Sequence, residues 1–162
     1  MNKRQFQLVK EIIGESDDDT VALRHMSEEA ISYITAHPWC PPIKAQYLAY
    51  GVGGVIGLFY FEFAFKINGI DDELWVVVGD LPSAYMVVDD RDDFLVALEK
   101  YCELMSDWAE AVCNDASALE SVFPVEAKPS VENADALLER IAFIRNEILI
   151  PEQLKGDLGG RR

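Results

Sequence analysis

The run from Phe59 to Ile67, FYFEFAFKI, constrains this chain most, because it alternates without a break and is followed at once by Asn68-Gly69. Phe59, Phe61, Phe63, Phe65 and Ile67 point one way, and Tyr60, Glu62, Ala64 and Lys66 the other. A period of two with aromatic enrichment is the pattern of a strand with two unlike faces, not of a helix. Asn-Gly after such a run is a strong hairpin signal, since both residues accept positive φ. The return strand is then ELWVVVGD, apolar on both faces from Leu74 to Val78, which predicts an internal strand covered on both sides. LPS makes the next turn and AYMVV a third strand. Three strands joined by short connections form an antiparallel meander.

The glycine-rich lead-in, AYGVGGVIGLFYF, has three readings. The uncharged run from Ala45 to Phe61 is 17 residues long and contains Gln46 and four glycines. A membrane helix needs about 20 apolar residues, so a span is disfavoured. GVGG lacks the full Gly-x-Gly-x-x-Gly spacing, and it precedes a strand, so no helix N-terminus is available for a phosphate. What remains is a glycine bend. Gly51, Gly53 and Gly54 let the chain turn or another backbone approach, and Gly57 marks a possible bulge.

Around the meander the sequence predicts helices. Residues 3–13 carry Phe6, Leu8, Val9, Ile12 and Ile13 ahead of Gly14, which reads as a short helix. ESDDD reads as a solvated acidic loop. Ser27 is a good N-cap for EEAISYITAH, and that helix can begin as early as Thr20; Pro38 ends it near His37. HPWCPP is a rigid loop, with Trp39 as the anchor that caps the core. IKAQYLAY reads as a short helix stopped by Gly51. Between Asp92 and Asn114, Phe94, Leu98, Tyr101, Met105, Trp108 and Val112 make one helical face. Ser130 caps a last helix with the stripe Ala134, Leu137, Ile141, Ile144 and Ile148, and Pro151 stops it. KGDLGGRR reads as a frayed tail from about residue 155. The expectation is one α+β domain over residues 1–162: a three-stranded antiparallel meander packed against helices, chiefly 92–113 and 130–149.

Charge bounds the function. The chain has 29 acidic and 14 basic residues, a net charge of −15 at pH 7. Residues 1–120 hold 22 of the acids and 8 of the bases, so the last quarter is nearly neutral. Such a chain repels a phosphate backbone and an anionic membrane surface, which argues against both partners. It attracts a basic protein, although acidity also serves plain solubility. Cys40, Cys102 and Cys113 are widely spaced and odd in number, a poor disulfide framework. The N-terminus has no long apolar core and no cleavage site. A cytoplasmic protein with reduced thiols is expected.

Candidate chemistry is sparse. His37 and Cys40 share one loop, and a Cys nucleophile beside a His base is a known arrangement, but i, i+3 spacing across a proline does not ensure contact. Cys102 reads as core. Asp80 ends the second meander strand, where loop acids do chemistry but more often cap turns. Glu62, inside an aromatic strand, must be solvated or paired, with Lys66 or an arginine of the last helix as partner. With Asp80 it would make a carboxylate pair. No cofactor motif and no metal-ligand set is present.

The acids that stand out are Asp71, Asp72 and Glu73 at the start of the second strand and Asp89, Asp90, Asp92 and Asp93 after the third. Residues 71–93 contain eight acids and one base. In a meander these two clusters fall at the same end of the sheet and form one negative edge. That edge either blocks sheet aggregation or steers a basic partner. Tyr60 or Tyr85, if exposed, would supply an aromatic anchor there.

HPWCPP and LWVVVGDLPSAYMV resemble an uncharacterised bacterial family of small cytosolic proteins with the same order of elements, over about residues 35–150. The resemblance implies no activity. In size and charge the chain is also similar to immunity proteins that neutralise toxins, without a shared motif. Two functions are therefore expected as alternatives. One is a non-enzymatic acidic protein-binding protein, immunity- or adaptor-like. The other is a small cytosolic enzyme using His37, Cys40, Glu62 or Asp80.

Overall fold

A computed structural model describes residues 6–159. The chain is α+β and divides into two compact units, Met1–Phe94 and Leu95–Arg162.

The first unit is a five-stranded antiparallel sheet in sequence order, β1 (Gln7–Leu8), β2 (Ile43–Val52), β3 (Ile56–Ile67), β4 (Asp71–Gly79) and β5 (Ala84–Val87). The three expected strands are β3, β4 and β5. Two more precede them. The segment expected as a helix at IKAQYLAY is β2, paired along its length with β3. Alanine, lysine, glutamine and leucine favour helices in isolation, but pairing with an aromatic strand overrides so weak a preference. Within 3–13, Gln7–Leu8 pairs with Leu48 and Tyr47, and Val9–Glu11 forms a single 3-10 turn; residues 3–5 lie outside the described ones.

Helix α1 (Asp17–Thr35) runs between β1 and β2. It starts earlier than the sequence suggested. Ser16 is the N-cap, its side chain accepting the Asp19 N–H. Asp17, Asp18 and Asp19, expected in a loop, occupy the first turn, where the helix dipole favours negative charge. Ser27, expected as the cap, is buried in mid-helix and donates back to the Arg24 carbonyl. Leu23, Met26, Ala30 and Ile34 recur at steps of three and four and form the buried stripe.

That stripe packs on one face of the sheet. Phe59, Phe61 and Phe63 of β3 and Leu74, Val76 and Val78 of β4 meet it in a single buried cluster with Leu48 and Ile12. The register pairs Phe61 with Leu74 and Phe59 with Val76, so the cross-strand neighbours share this face. Leu58, Tyr60, Trp75 and Val77 point to the opposite face and are buried too; the rings of Tyr60 and Trp75 lie 5.5 Å apart, with Phe6 against both. The reading of β4 as buried on both faces holds.

The glycines have distinct tasks. Gly54, at φ 76, forms the β2–β3 turn, closed by the Val55 N–H donating to the Val52 carbonyl. Gly53 sits against α1, and its N–H donates to Asp19 Oδ1 at 2.7 Å. A methyl at Gly53 would lie 2.6 Å from that same oxygen. A glycine bend is therefore observed at Gly53 and Gly54, but Gly51 pairs with Gly57 inside the β2–β3 ladder, and the bulge expected at Gly57 is absent, since Gly57 stays in register with both Gly51 and Val78. The β3–β4 turn follows its sequence signal: Asn68 and Gly69 have φ of 50 and 75, and the Ile70 N–H bonds the Ile67 carbonyl.

The second unit is helical. It holds α2 (Phe94–Asn114), a 3-10 turn at Ala116–Glu120, and α3 (Val131–Ile144), capped by Ser130 through the Asn133 N–H. Arg145 Nη2 meets Glu99 Oε1 at 3.3 Å and ties the end of α3 to the start of α2. The expected stop at Pro151 is absent. A π turn at Arg145–Leu149 leads directly into α4 (Ile150–Gly159). There the Ile150 N–H bonds the Arg145 carbonyl five residues back. The widened turn carries the chain past a proline that would break a regular helix. Among the described residues, no helix is long and apolar enough to cross a membrane.

Candidate functional site

Helix α1 ends at Thr35. The loop after it, HPWCPP, folds back over the α1 face of the sheet. Three short bonds fix it: the His37 and Cys40 N–H groups donate to the carbonyls of Ile34 and His37, and His37 Nδ1 donates to the Ile34 carbonyl at 3.2 Å. The loop thus delivers Trp39 and His37 to β5. Tyr85, paired with Val76, points to the same face.

Four rings meet there. His37 lies 5.1 Å from Tyr33, 4.9 Å from Trp39 and 5.2 Å from Tyr85. Trp39 and Tyr85 meet edge to face at 5.0 Å, a favoured geometry that fixes both rings. Beside them opens a cleft of about 210 Å³. Trp39 and Tyr85 are its aromatic lining, and Ile67, Leu74 and Val87 its aliphatic lining. Asn68 and Asp71, from the β3–β4 turn, are its polar members. The same hairpin tip exposes Phe65 and Ile70.

The acidic residues gather at this end of the sheet. Leu74 pairs with Val87, so Asp71–Glu73 before it and Asp89–Asp90 after β5 lie at one end of the β4–β5 pair. Asp72, Asp89, Asp90 and Asp93 are exposed, and Asp71 and Glu73 are half-buried. Asp92 is different, at 5% exposure. Its Oδ2 accepts the Trp75 indole N–H at 3.3 Å and the Asp89 N–H at 3.1 Å. Asp92 therefore holds the acidic turn in place and does not present a charge at the surface. Tyr60, the other anchor considered, is fully buried. Tyr85 is the one that borders a cleft.

The four residues considered for catalysis do not converge on one point: His37 and Cys40 share a turn closed by the Cys40 N–H on the His37 carbonyl, whereas Glu62 and Asp80 lie elsewhere on the sheet. Cys40 Sγ donates to the Pro41 carbonyl at 3.3 Å, and burial pushes its thiol pKa up. A nucleophilic cysteine needs the opposite shift. His37 commits Nδ1 to a carbonyl and its ring to three aromatic neighbours. Glu62 pairs with Glu73 across the strands, whereas Asp80 follows Gly79 at the far end of β4. Seven residues of strand separate Glu73 from Asp80, roughly 23 Å at about 3.3 Å each. Glu62 also follows the alternation of Tyr60 and lies off the α1 face that carries His37 and Cys40. Among the described residues, no three His, Cys, Asp or Glu side chains are grouped to hold a metal ion.

Sequence reasoning named Tyr85 and Trp39 but not as neighbours, and missed Asn68 and Ile67 as lining residues. The Asn-Gly turn was the available signal, since it fixes where β3 hands over to β4. Comparison with family models, with curated proteins and with solved structures gives no match for this chain.

Proposed function

We propose that this chain is a non-enzymatic, acidic protein-binding protein of the immunity or adaptor kind. It docks a basic protein partner through the end of the sheet formed by the β3–β4 tip and the turn after β5. The observation that carries this reading is the placement of Tyr85. Its ring borders a cleft that includes Asp71, within a segment of eight acids and one base. An aromatic anchor inside a ring of charge is the usual composition of a docking site: the ring supplies affinity, and the charges steer encounter. Asp71, Asp72, Glu73, Asp89, Asp90 and Asp93 supply the field, and Asp92 sets the turn that presents it. Phosphate backbones and anionic bilayers are disfavoured partners for a surface of this sign.

The test is capture from native lysate on the immobilised protein, followed by association kinetics with the captured partner at low and high salt. A basic partner whose association slows as salt rises is the expected result. Capture of acidic or neutral proteins with salt-independent rates would overturn the reading.

A further inference from the structure

We infer that the cleft between Trp39, Tyr85 and Asp71 is a receptor for a single arginine side chain presented by a protein partner. Its size is the first argument. Pockets for drug-sized ligands run to about 300–1,000 Å³, and this one is about 210 Å³. It suits one long side chain better than a metabolite.

The chemistry of the walls is the second argument. Ile67, Leu74 and Val87 offer aliphatic lining, against which the methylene stem of a long basic residue packs while its charged head keeps polar contacts. Trp39 and Tyr85 offer aromatic surface, and a guanidinium stacks on such rings through cation–π attraction. Asp71 is the anionic group among the lining residues, and Asn68 offers a side-chain carbonyl beside it. A planar fork can stack on a ring and donate to a carboxylate at once. A lysine ammonium, a strongly hydrated point charge, cannot satisfy both as well. The surrounding charge selects a cation and rejects an acidic side chain.

The rings are fixed before any ligand arrives. His37 contacts Tyr33, Trp39 and Tyr85, and its Nδ1 bond to Ile34 holds it there. A receptor that is already ordered loses little side-chain freedom on binding.

The inference deepens the docking reading above, resting on it for the identity of the occupant as part of a protein, but its test needs no partner. Capped arginine, N-acetyl-arginine methylamide, is titrated into the full chain and followed by two-dimensional NMR. The comparison probes are capped citrulline, which has the same shape without the charge, and capped lysine. Arginine is expected to shift the Trp39 indole and the Asn68, Asp71 and Tyr85 amides. Citrulline should bind about tenfold more weakly or worse, and lysine in between. Asp71→Asn should weaken arginine by a similar factor. Tyr85→Phe should keep binding, and Tyr85→Leu should lose it. Shifts confined to other regions, citrulline equal to arginine, or lysine equal to arginine would each overturn the assignment. If capped arginine fails while a basic partner is still captured, the cleft assignment falls and the docking surface stands. If arginine binds here but no basic partner is captured, the arginine selectivity of the cleft stands, and the docking reading falls together with the assignment of the occupant to a protein.

Discussion

Trp75 Nε1 donates to Asp92 Oδ2 across 3.3 Å, joining the middle of β4 to the turn that follows β5. The same oxygen takes the Asp89 N–H. One buried carboxylate therefore satisfies an indole and a backbone donor, and fixes a turn that carries three other acids. Removing the acceptor takes the partner from the buried indole N–H and from the part-buried Asp89 N–H, which costs about 1–3 kcal/mol, mostly at the indole. Asp92→Ala should lower stability by about that amount in chemical denaturation, while Asp72→Ala, an exposed acid at the same end of the sheet, should cost less than about 0.5 kcal/mol. Equal midpoints for the two variants would show that the bond does not hold the turn.

Gly79 and Gly54 both have positive φ, 145 and 76, but differ in their surroundings. A Cβ at Gly79 would run into the Val55 carbonyl, which accepts the Asp80 N–H, whereas a Cβ at Gly54 meets nothing within 4 Å. Gly54→Ala should therefore cost only the left-handed conformation, about 1–2 kcal/mol. Gly79→Ala adds a backbone collision at the β3–β4 contact and should cost more than Gly54→Ala. Thermal denaturation of the two single variants decides, and a Gly54→Ala variant at least as damaged as Gly79→Ala would contradict the geometry.

The three thiols should separate by reactivity. Cys113 is exposed, Cys40 half-buried and Cys102 buried. Burial first, with Glu99 and Glu103 adding and Arg145 opposing, pushes the Cys102 pKa from 9.0 to about 12. The folded state thus keeps a proton that the unfolded chain gives up near pH 9. The stability this contributes is fully present below about pH 9 and is lost as pH rises toward 12. Brief alkylation read by mass spectrometry should label Cys113 first, Cys40 more slowly and Cys102 only on unfolding. Rapid native labelling of Cys102 would contradict its placement.

What the sequence disclosed was what depends on near neighbours. The alternation of FYFEFAFKI and the Asn68-Gly69 turn are local signals, and they gave β3, β4 and their hairpin. Ser130 and the stripe from Ala134 to Ile148 gave α3 for the same reason. β2 was not legible, because Ala45, Gln46 and Leu48 favour a helix until β3 is there to pair with. Gln46 shows the point: its side-chain amide donates to the Ser27 carbonyl of α1 at 3.1 Å, a partner 19 residues away. The start of α1 was legible but misread. Ser16 three residues ahead of Asp19 is a capping pattern, and the run of aspartates obscured it. The cleft was hidden, since Trp39 and Tyr85 meet only after α1, β4 and β5 are all in place. The acidic end of the sheet, by contrast, followed from meander topology alone.

Docking at this end of the sheet predicts a split between two kinds of variant. Charge reversal at Asp72, Asp89, Asp90 and Asp93 alters exposed carboxylates and leaves the Asp92–Trp75 bond intact. Such charges act on encounter, so the reversed protein should associate with a basic partner at least about tenfold more slowly at low salt, with a flatter salt dependence. Its dissociation rate should change little. Tyr85→Leu removes the aromatic anchor but not the field. It should leave association and its salt dependence nearly unchanged and raise the dissociation rate by about tenfold or more. Both rates are read from one surface-binding experiment on the captured partner, with circular dichroism to confirm that each variant is folded. If the charge-reversed protein associates as fast as the parent, the acidic end serves solubility and sheet protection only. If Tyr85→Leu dissociates like the parent, the partner docks elsewhere on the chain.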